Sequence, residues 1–371
     1  MKKILFVATI TEHFYYFHLP YLKMFHELGW QVDVASHGDI ELPWCDNRYE
    51  IPIRRSPADK GNLQAYKMLK KIINDNAYDI VHCHTPMGGI LARLASASQR
   101  KNGTKVLYTA HGFHFYKGAP LLNWLIYLPI EFVMSTLTDC LVTINEEDYS
   151  CAKKYLRTKD IRKVNGVGYN SDRYFPVSEA EKEEIREKLG FNKEEKLLIY
   201  VAEMNANKNQ SMLIRAMKKI FDLRDDVRLL IVGADNYEGK CIALAKELGV
   251  EDKISFLGHR EDIDDLLHAS DIAVASSYRE GLPVNVMEAL ACGLPVVLSD
   301  NRGHRVLGVN GENGFVVRVD DDIAMAEKIC SIIDDKELYN RFSSNAVELI
   351  KPFSKESVII ELKDIYNHYI D

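Results

Sequence analysis

The sequence predicts an α/β protein made of two tandem domains, each a mostly parallel sheet covered by helices. Three observations carry this expectation. Short apolar runs alternate with helix-patterned runs along the chain. The alternation comes in two series, separated by a polar stretch at 164–184. The length, 371 residues, exceeds one ordinary core and fits two average domains.

The first series opens with KILFVAT (3–9), followed by an amphipathic stretch that ends near Gly29. QVDVAS (31–36) comes next, and DIVHCH (79–84) then leads into GGILARLASASQ. KVLYTAH (105–111) ends at His111, and CLVTIN (140–145) precedes the acidic helix start EEDYSCAKKYL. The stretch VNGVGYNSDRYFPVSEAEKEE (164–184) holds Gly, Asn, Ser and Pro before a charged helix, and reads as a linker. The second series contains KLLIYVAE (196–203), VRLLIVGA (227–234), KISFLGH (253–259), DIAVASS (271–277), PVVLSD (295–300) and GFVVRV (314–319). The expected boundaries are 1–170 and 171–354, with the last helix, about 355–371, able to pack back on the first domain. Ligands of such sheets bind at the carboxyl ends of the strands, so a cleft between the domains is the expected site.

Composition is that of an ordinary soluble protein, 47% hydrophobic and 27% charged. The start, MKKILFVATITEHF, is apolar like a signal peptide, but Glu12 and His13 end the run and no small-residue cleavage site follows. A first buried strand explains it better. The most apolar stretch, 119–137, is broken by Asn123, Pro129 and Glu131, so no transmembrane helix is expected. The seven cysteines are odd in number, scattered and without a C-x-x-C pair, which points to buried thiols in a reduced, cytoplasmic compartment. HCH at 82–84 puts His82 and His84 on one strand face, but no second ligand cluster is evident, so no metal is expected. Residues 1–176 carry 22 Lys+Arg against 17 Asp+Glu, and the remainder 25 against 37. The front half therefore suits an anionic surface, with chance asymmetry an equal reading. No basic stripe with interleaved aromatics suggests nucleic acid. No G-x-G-x-x-G follows the first strand of either half, which disfavours a nicotinamide dehydrogenase.

The most informative stretch is YREGLPVNVMEALACGLPVVLSD (278–300). Pro283 suits the first position of a helix over 283–292, Gly281 permits an unusual angle before it, and Gly293 suits the helix stop. Glu280 then lies in the loop before the helix N-terminus, and Glu288 about a turn and a half inside. The exposed amides at 281–285 and the helix dipole favour a diphosphate. Glu288 is placed to hold a diol, as acids hold ribose hydroxyls in nucleotide folds. A first-turn acid and a solvated acid are the plainer reading, but VNVMEALA is too apolar for an exposed face.

This E-x7-E motif, with Gly-Leu-Pro after Glu280 and EALACGLPVV around Glu288, resembles the retaining glycosyltransferases of family four, which have the GT-B fold. YTAHGFHFYKGAPLLNWLIYLPIE (108–131), LVTINEEDYSCAK, VNGVGYNSDRYFP, NANKNQ and FLGHREDI resemble the branch that builds bacterial capsular and exopolysaccharides. The resemblance implies two Rossmann-like domains facing across a cleft, an N-terminal acceptor domain and a C-terminal nucleotide-sugar domain. Glu288 would bind the ribose and Glu280 the donor sugar or its phosphate. Gly281, Leu282 and Pro283 would form the donor turn. Lys208 matches the lysine that neutralises the diphosphate leaving group, and His111 the histidine near the transferred sugar, with His114 as a decoy. Arg260 is a candidate near the base. Asn145 is a donor-side candidate or a helix N-cap. His13 and His84 fall on the acceptor side.

Two departures stand out. Many relatives carry Gly-Arg where this chain has Ala202 and Glu203; an acid there must point away or pair with a cation. The first loop, TITEHFYYFHLP, is bulky where relatives are Gly-rich, so the acceptor cannot be copied from them. The implied reaction is transfer of a hexose or N-acetylhexosamine from a UDP-sugar to a polyprenyl-diphosphate-linked or oligosaccharide acceptor, with retention by same-face attack. No cofactor and no catalytic metal are expected, and the DID at 262–264 reads as solvated. Residues 113–134 are a candidate membrane contact, at the inner face of the cell membrane. The alternatives are a GT-B sugar-nucleotide epimerase and a non-catalytic nucleotide-sugar-binding subunit.

Overall fold

The computed structural model describes residues 1–370. The chain forms two compact units: Met1–Val167 together with the chain from Glu356 onward, and Gly168–Lys355.

Unit 1 runs β1 (Lys3–Ile10), α1 (Glu12–Phe17), α2 (Leu19–Glu27), β2 (Gln31–His37), β3 (Asn47–Glu50), α3 (Gly61–Asn76), β4 (Ile80–His84), α4 (Pro86–Ser96), β5 (Lys105–Ala110), α5 (Leu121–Ser135), β6 (Cys140–Thr143), α6 (Glu146–Tyr155) and β7 (Asp160–Lys163). Its seven-stranded sheet has the order β3-β2-β1-β4-β5-β6-β7, and every pair is parallel. Helices cover both faces of such a sheet, which is why the central strands β1, β4 and β5 are buried along nearly their whole length and do not alternate. β3 and β7 were not expected: both are four residues long and polar (NRYE and DIRK), as edge strands often are. The amphipathic stretch after β1 is two helices. It breaks at His18, and Pro20 lies in the first turn of α2, where its missing N–H costs nothing.

Below the sheet ends, α4 and α5 share a buried ion pair. The Arg93 guanidinium donates to both Glu131 oxygens at 2.8 and 3.1 Å and lies 4.0 Å over the Tyr108 ring. A Cβ on Gly89 would come within 2.5 Å of that ring, so glycine is required there. Glu131→Ala leaves a buried guanidinium unpaired and is expected to cost about 3–5 kcal/mol in urea unfolding. A loss under about 1 kcal/mol would mean that water reaches Arg93.

Unit 2 runs α7 (Glu179–Leu189), β8 (Lys196–Val201), α8 (Gln210–Phe221), β9 (Val227–Val232), α9 (Lys240–Glu247), β10 (Ile254–Gly258), α10 (Ile263–Ala269), β11 (Ile272–Ala275), α11 (Val284–Ala291), β12 (Val296–Ser299), α12 (Arg302–Leu307), β13 (Gly314–Val317), α13 (Asp322–Asp334) and α14 (Lys336–Ile350). The six parallel strands have the order β10-β9-β8-β11-β12-β13. The charged segment expected to end the linker is α7. Ser178 and Glu181 form its capping box, and Lys182 and Arg186 hold buried Asp271 at 2.7 and 2.6 Å. Asp271 also accepts the Leu197 amide at 2.7 Å, which fixes α7 on the sheet.

The final helix, α15 (Lys355–Ile370), docks on unit 1. Tyr366 O–H meets His82 Nδ1 at 2.5 Å, and the Asn165 amide donates to Glu361 at 2.9 Å. In both sheets the strand order reverses once, between β1 and β4 and between β8 and β11. The carboxyl ends at those two reversals are where such folds bind ligands. No described helix is long and apolar enough to cross a membrane. None of the seven cysteines is in a disulfide, and Cys45, Cys151 and Cys330 are only partly buried, so the expected burial holds for four of them.

Candidate nucleotide-sugar site and histidine cluster

In unit 2, the loops after β8 and β11 are stitched together. Ser276 Oγ donates to the carbonyls of Lys208 and Asn209 at 3.0 and 2.8 Å. The Tyr278 amide donates to Asn207 O at 2.8 Å, and Asn207 Nδ2 donates to Arg279 O at 3.1 Å. This backbone scaffold places Lys208 Nζ 2.7 Å from Glu280 Oε1, with the two side chains 20% and 14% exposed. Arg302 Nε donates to the Glu280 carbonyl at 3.2 Å. Gly303 allows this closeness, since a Cβ there would lie 2.9 Å from Glu280 Cβ and 3.0 Å from Gly281 O.

α11 begins one residue later than expected. Pro283 is its N-cap, and proline has no side chain that can cap the first-turn amides. Gly281, expected to permit an unusual angle, does not take a positive φ; Gly293, at the helix end, does, with φ 79°. The turn is shaped by its packing on Gly303, with Leu282 and Pro283 buried against it.

Glu288 is partly buried, not an open surface position. Burial pushes its carboxyl up to about 7, against a hydrogen bond from Tyr174 and the charge of Arg173. Arg173 is itself held by Asp264 at 2.7 Å. Tyr174 and Arg173 lie in the segment read as linker, so sequence reasoning missed them; a Tyr and an Arg among Gly, Asn and Ser were the available signal.

Glu203 is exposed and accepts from the side-chain amides of Asn205 and Asn236 at 3.0 and 2.6 Å. Of the two expected accommodations, pointing away or pairing with a cation, the cation is not the one seen: Glu203 is exposed and held by neutral amides. Arg260 donates to Asp262 at 2.7 Å. The 262–264 acids are therefore ion-paired, Asp262 with Arg260 and Asp264 with Arg173, where solvation was expected. Arg260 lies two residues before Asp262 in the same turn, and Arg173 reaches Asp264 from the segment before α7.

In unit 1, α1, β4 and β5 bring His13, His84 and His111 together, and the helix break adds His18, which the sequence reading missed. His13 Nε2 lies 3.1 Å from His18 Nε2, and His84 Nδ1 lies 3.4 Å from His111 Nε2. Burial lowers His111 to about 4 and holds the other three well below the ordinary histidine value. The sequence showed no second ligand cluster beside His82 and His84; the fold assembles one. The signal lay in TITEHFYYFHLP, where Pro20 turns two histidines toward one sheet end. His13 also lines a cavity of about 590 Å³, walled by Phe113, Ile126, Tyr127 and Ile130. His114 is stacked on Tyr127, ring centroids 4.5 Å apart, at this cavity. Asn145 caps α6: its side chain accepts the Asp148 amide at 2.8 Å.

Residues 181–349 match the family model described as glycosyl transferases group 1, and residues 3–145 match the one described as glycosyl transferase 4-like. A Bacillus subtilis (strain 168) protein named as the glycosyltransferase EpsD is 47% identical over this whole chain and 97% of its own length. The chain belongs to glycosyltransferase family four. This glycosyltransferase also shares 28% identity, over 83% of its length and 79% of the relative's, with an Escherichia coli protein named UDP-Gal:alpha-D-GlcNAc-diphosphoundecaprenol alpha-1,3-galactosyltransferase. Among solved structures, HepE of Anabaena in complex with UDP and glucose superposes with a TM-score of 0.80 at 18% identity, covering 99% of this chain and all of that one. The fold is GT-B, two Rossmann-like units of parallel strands, and the enzyme is a glycosyltransferase of polysaccharide biosynthesis.

Proposed function

We propose that this glycosyltransferase moves a hexose or N-acetylhexosamine from a UDP-sugar to a lipid-linked sugar, with retention of anomeric configuration and without a catalytic metal or cofactor. The observation that carries this reading is the Lys208–Glu280 pair at the strand reversal of unit 2, with Glu288 in the following helix, α11, its carboxyl pushed up by burial. When the donor enters, its diphosphate takes over Lys208 and the first-turn amides of α11. Glu280 is then released toward the sugar, and Glu288 holds the ribose hydroxyls. Charge that develops on the departing diphosphate meets a lysine already positioned by its backbone bonds, so little reorganisation is needed. His111, neutral at working pH, offers the sugar a hydrogen bond and no charge.

The acceptor reading draws on unit 1. Its cavity is mainly apolar, with His13, Arg55 and Thr85 as polar groups at the wall. α5 presents Leu121, Leu122, Leu125 and Val133 to solvent, 73%, 63%, 65% and 54% exposed. An apolar helix face of this kind suits the surface of a bilayer that carries a lipid-linked acceptor. The relative from Escherichia coli is named for a diphosphoundecaprenol acceptor, which supports the same chemistry.

Incubation with a panel of UDP-hexoses and UDP-N-acetylhexosamines and undecaprenyl-diphosphate-linked sugars, read by mass spectrometry, tests the reading. One donor should extend the lipid-linked sugar, and no transfer from any would overturn it. In a flotation assay with vesicles containing anionic lipid, the wild type should float at low salt and the Leu122→Glu/Leu125→Glu variant should not. A wild type that stays at the bottom would remove the membrane contact.

A further inference from the structure

We propose that His13, His18, His84 and His111 form a four-imidazole site for one Zn²⁺ ion at the carboxyl end of the unit 1 sheet. One nitrogen from each ring lies within 4.8 Å of the other three. Tetrahedral zinc with bonds of about 2.0–2.1 Å separates its ligand nitrogens by about 3.3–3.4 Å. The His13–His18 Nε2 edge already measures 3.1 Å, and the other nitrogens lie within the 4.8 Å from which an ion can draw them in.

The chemistry of the cluster agrees with its geometry. Each ring carries a nitrogen lone pair of the kind that ligates zinc. His84 is fully buried, and its Nε2 has no hydrogen-bond partner. A buried polar atom left this way is costly and calls for a ligand. A metal ion would meet that need, since the contacts among the four rings leave this nitrogen unused. His82 stays outside the set: its two nitrogens are taken by Tyr366 at 2.5 Å and Thr109 at 2.8 Å. An all-imidazole set suits Zn²⁺ and disfavours Mg²⁺ and Ca²⁺, which prefer oxygen.

The ligands come from α1, the α1–α2 junction, the end of β4 and the residue after β5. The ion would tie the bulky first loop to the sheet and hold the wall of the cavity that His13 lines. This is a positioning role in unit 1, separate from the diphosphate chemistry in unit 2.

The test uses the full chain without an affinity tag, stripped by chelator and then given Zn²⁺. Elemental analysis after dialysis should find one zinc per chain. At a free concentration about a hundredfold above Kd, Zn²⁺ should raise the melting temperature by about 5–10 °C. Co²⁺ should give the intense visible absorption of a tetrahedral site. His18→Ala should lose the stoichiometric metal and the shift. If that variant does not fold, the cobalt spectrum of the wild type decides, since surface histidines give octahedral, weakly absorbing complexes. Absence of retained zinc with no shift, an equal shift in His18→Ala, or an octahedral cobalt spectrum would each overturn the site. Thermal stabilisation by UDP-sugar reports on unit 2 separately, so the zinc site and the donor reading can fail independently.

Discussion

Lys208→Met is expected to lower kcat for sugar transfer by about 10²–10³-fold and to change the donor KM by only a few-fold. The lysine opposes charge that appears on the diphosphate as the glycosidic bond breaks, so it acts mostly on the transition state. The same substitution leaves Glu280, 14% exposed, without its cation. The protein should therefore melt lower, and Lys208→Met/Glu280→Gln should recover the stability without the activity. Steady-state assays of UDP release and thermal melting separate the two effects. A variant that loses only donor KM would show that Lys208 binds the ground state and does not assist departure.

Glu288→Gln is expected to raise the stability of the free protein while weakening the donor. In the folded protein this carboxyl titrates near 7, above its ordinary 4.5, because burial disfavours its charge. The native state therefore holds more proton than the unfolded chain between those values, and stability falls as pH rises through the window. Glutamine removes the cost of that charge. Its melting temperature should exceed the wild type's at pH 8 and approach it at pH 5. Loss of a charged hydrogen bond pair to the ribose should weaken UDP-sugar binding by about 10–100-fold, the equivalent of about 1.5–3 kcal/mol. In the wild type the donor KM should rise as pH drops below about 7, and the variant should lack that rise. Melting curves with and without UDP-sugar at both pH values check the two signs together. A variant no more stable at pH 8, with an unchanged nucleotide shift, would show that Glu288 is neither desolvated nor a ribose ligand.

These predictions start from a motif that is local in the chain. E-x7-E with its two Gly-Leu-Pro segments spans a strand end, a tight turn and an eight-residue helix, α11. Backbone chemistry over so short a range is legible in order of residues: proline where no amide is needed, glycine where the helix stops. The central strands were legible for a similar reason, since helices on both faces require unbroken apolar runs. β3 and β7 escaped because edge strands are paired on one side and carry no such requirement.

The partners of the motif were not legible. Tyr174 and Arg173 reach Glu288 from a segment that looked like a linker, and Glu203 is exposed and met by Asn205 and Asn236. Gly303 accommodates the Glu280 turn from the following helix. Four histidines distant in the chain meet at one sheet end, because Pro20 breaks the first helical stretch and the strand order reverses there. Residue order thus determined the family and the alternation of strands and helices, since each depends on neighbours a few residues apart. Tertiary structure alone decided how the acids of the motif are charged and what shares their surroundings. Desolvation and Coulomb interactions depend on distance in space, and strand pairing sets that distance without regard to separation along the chain.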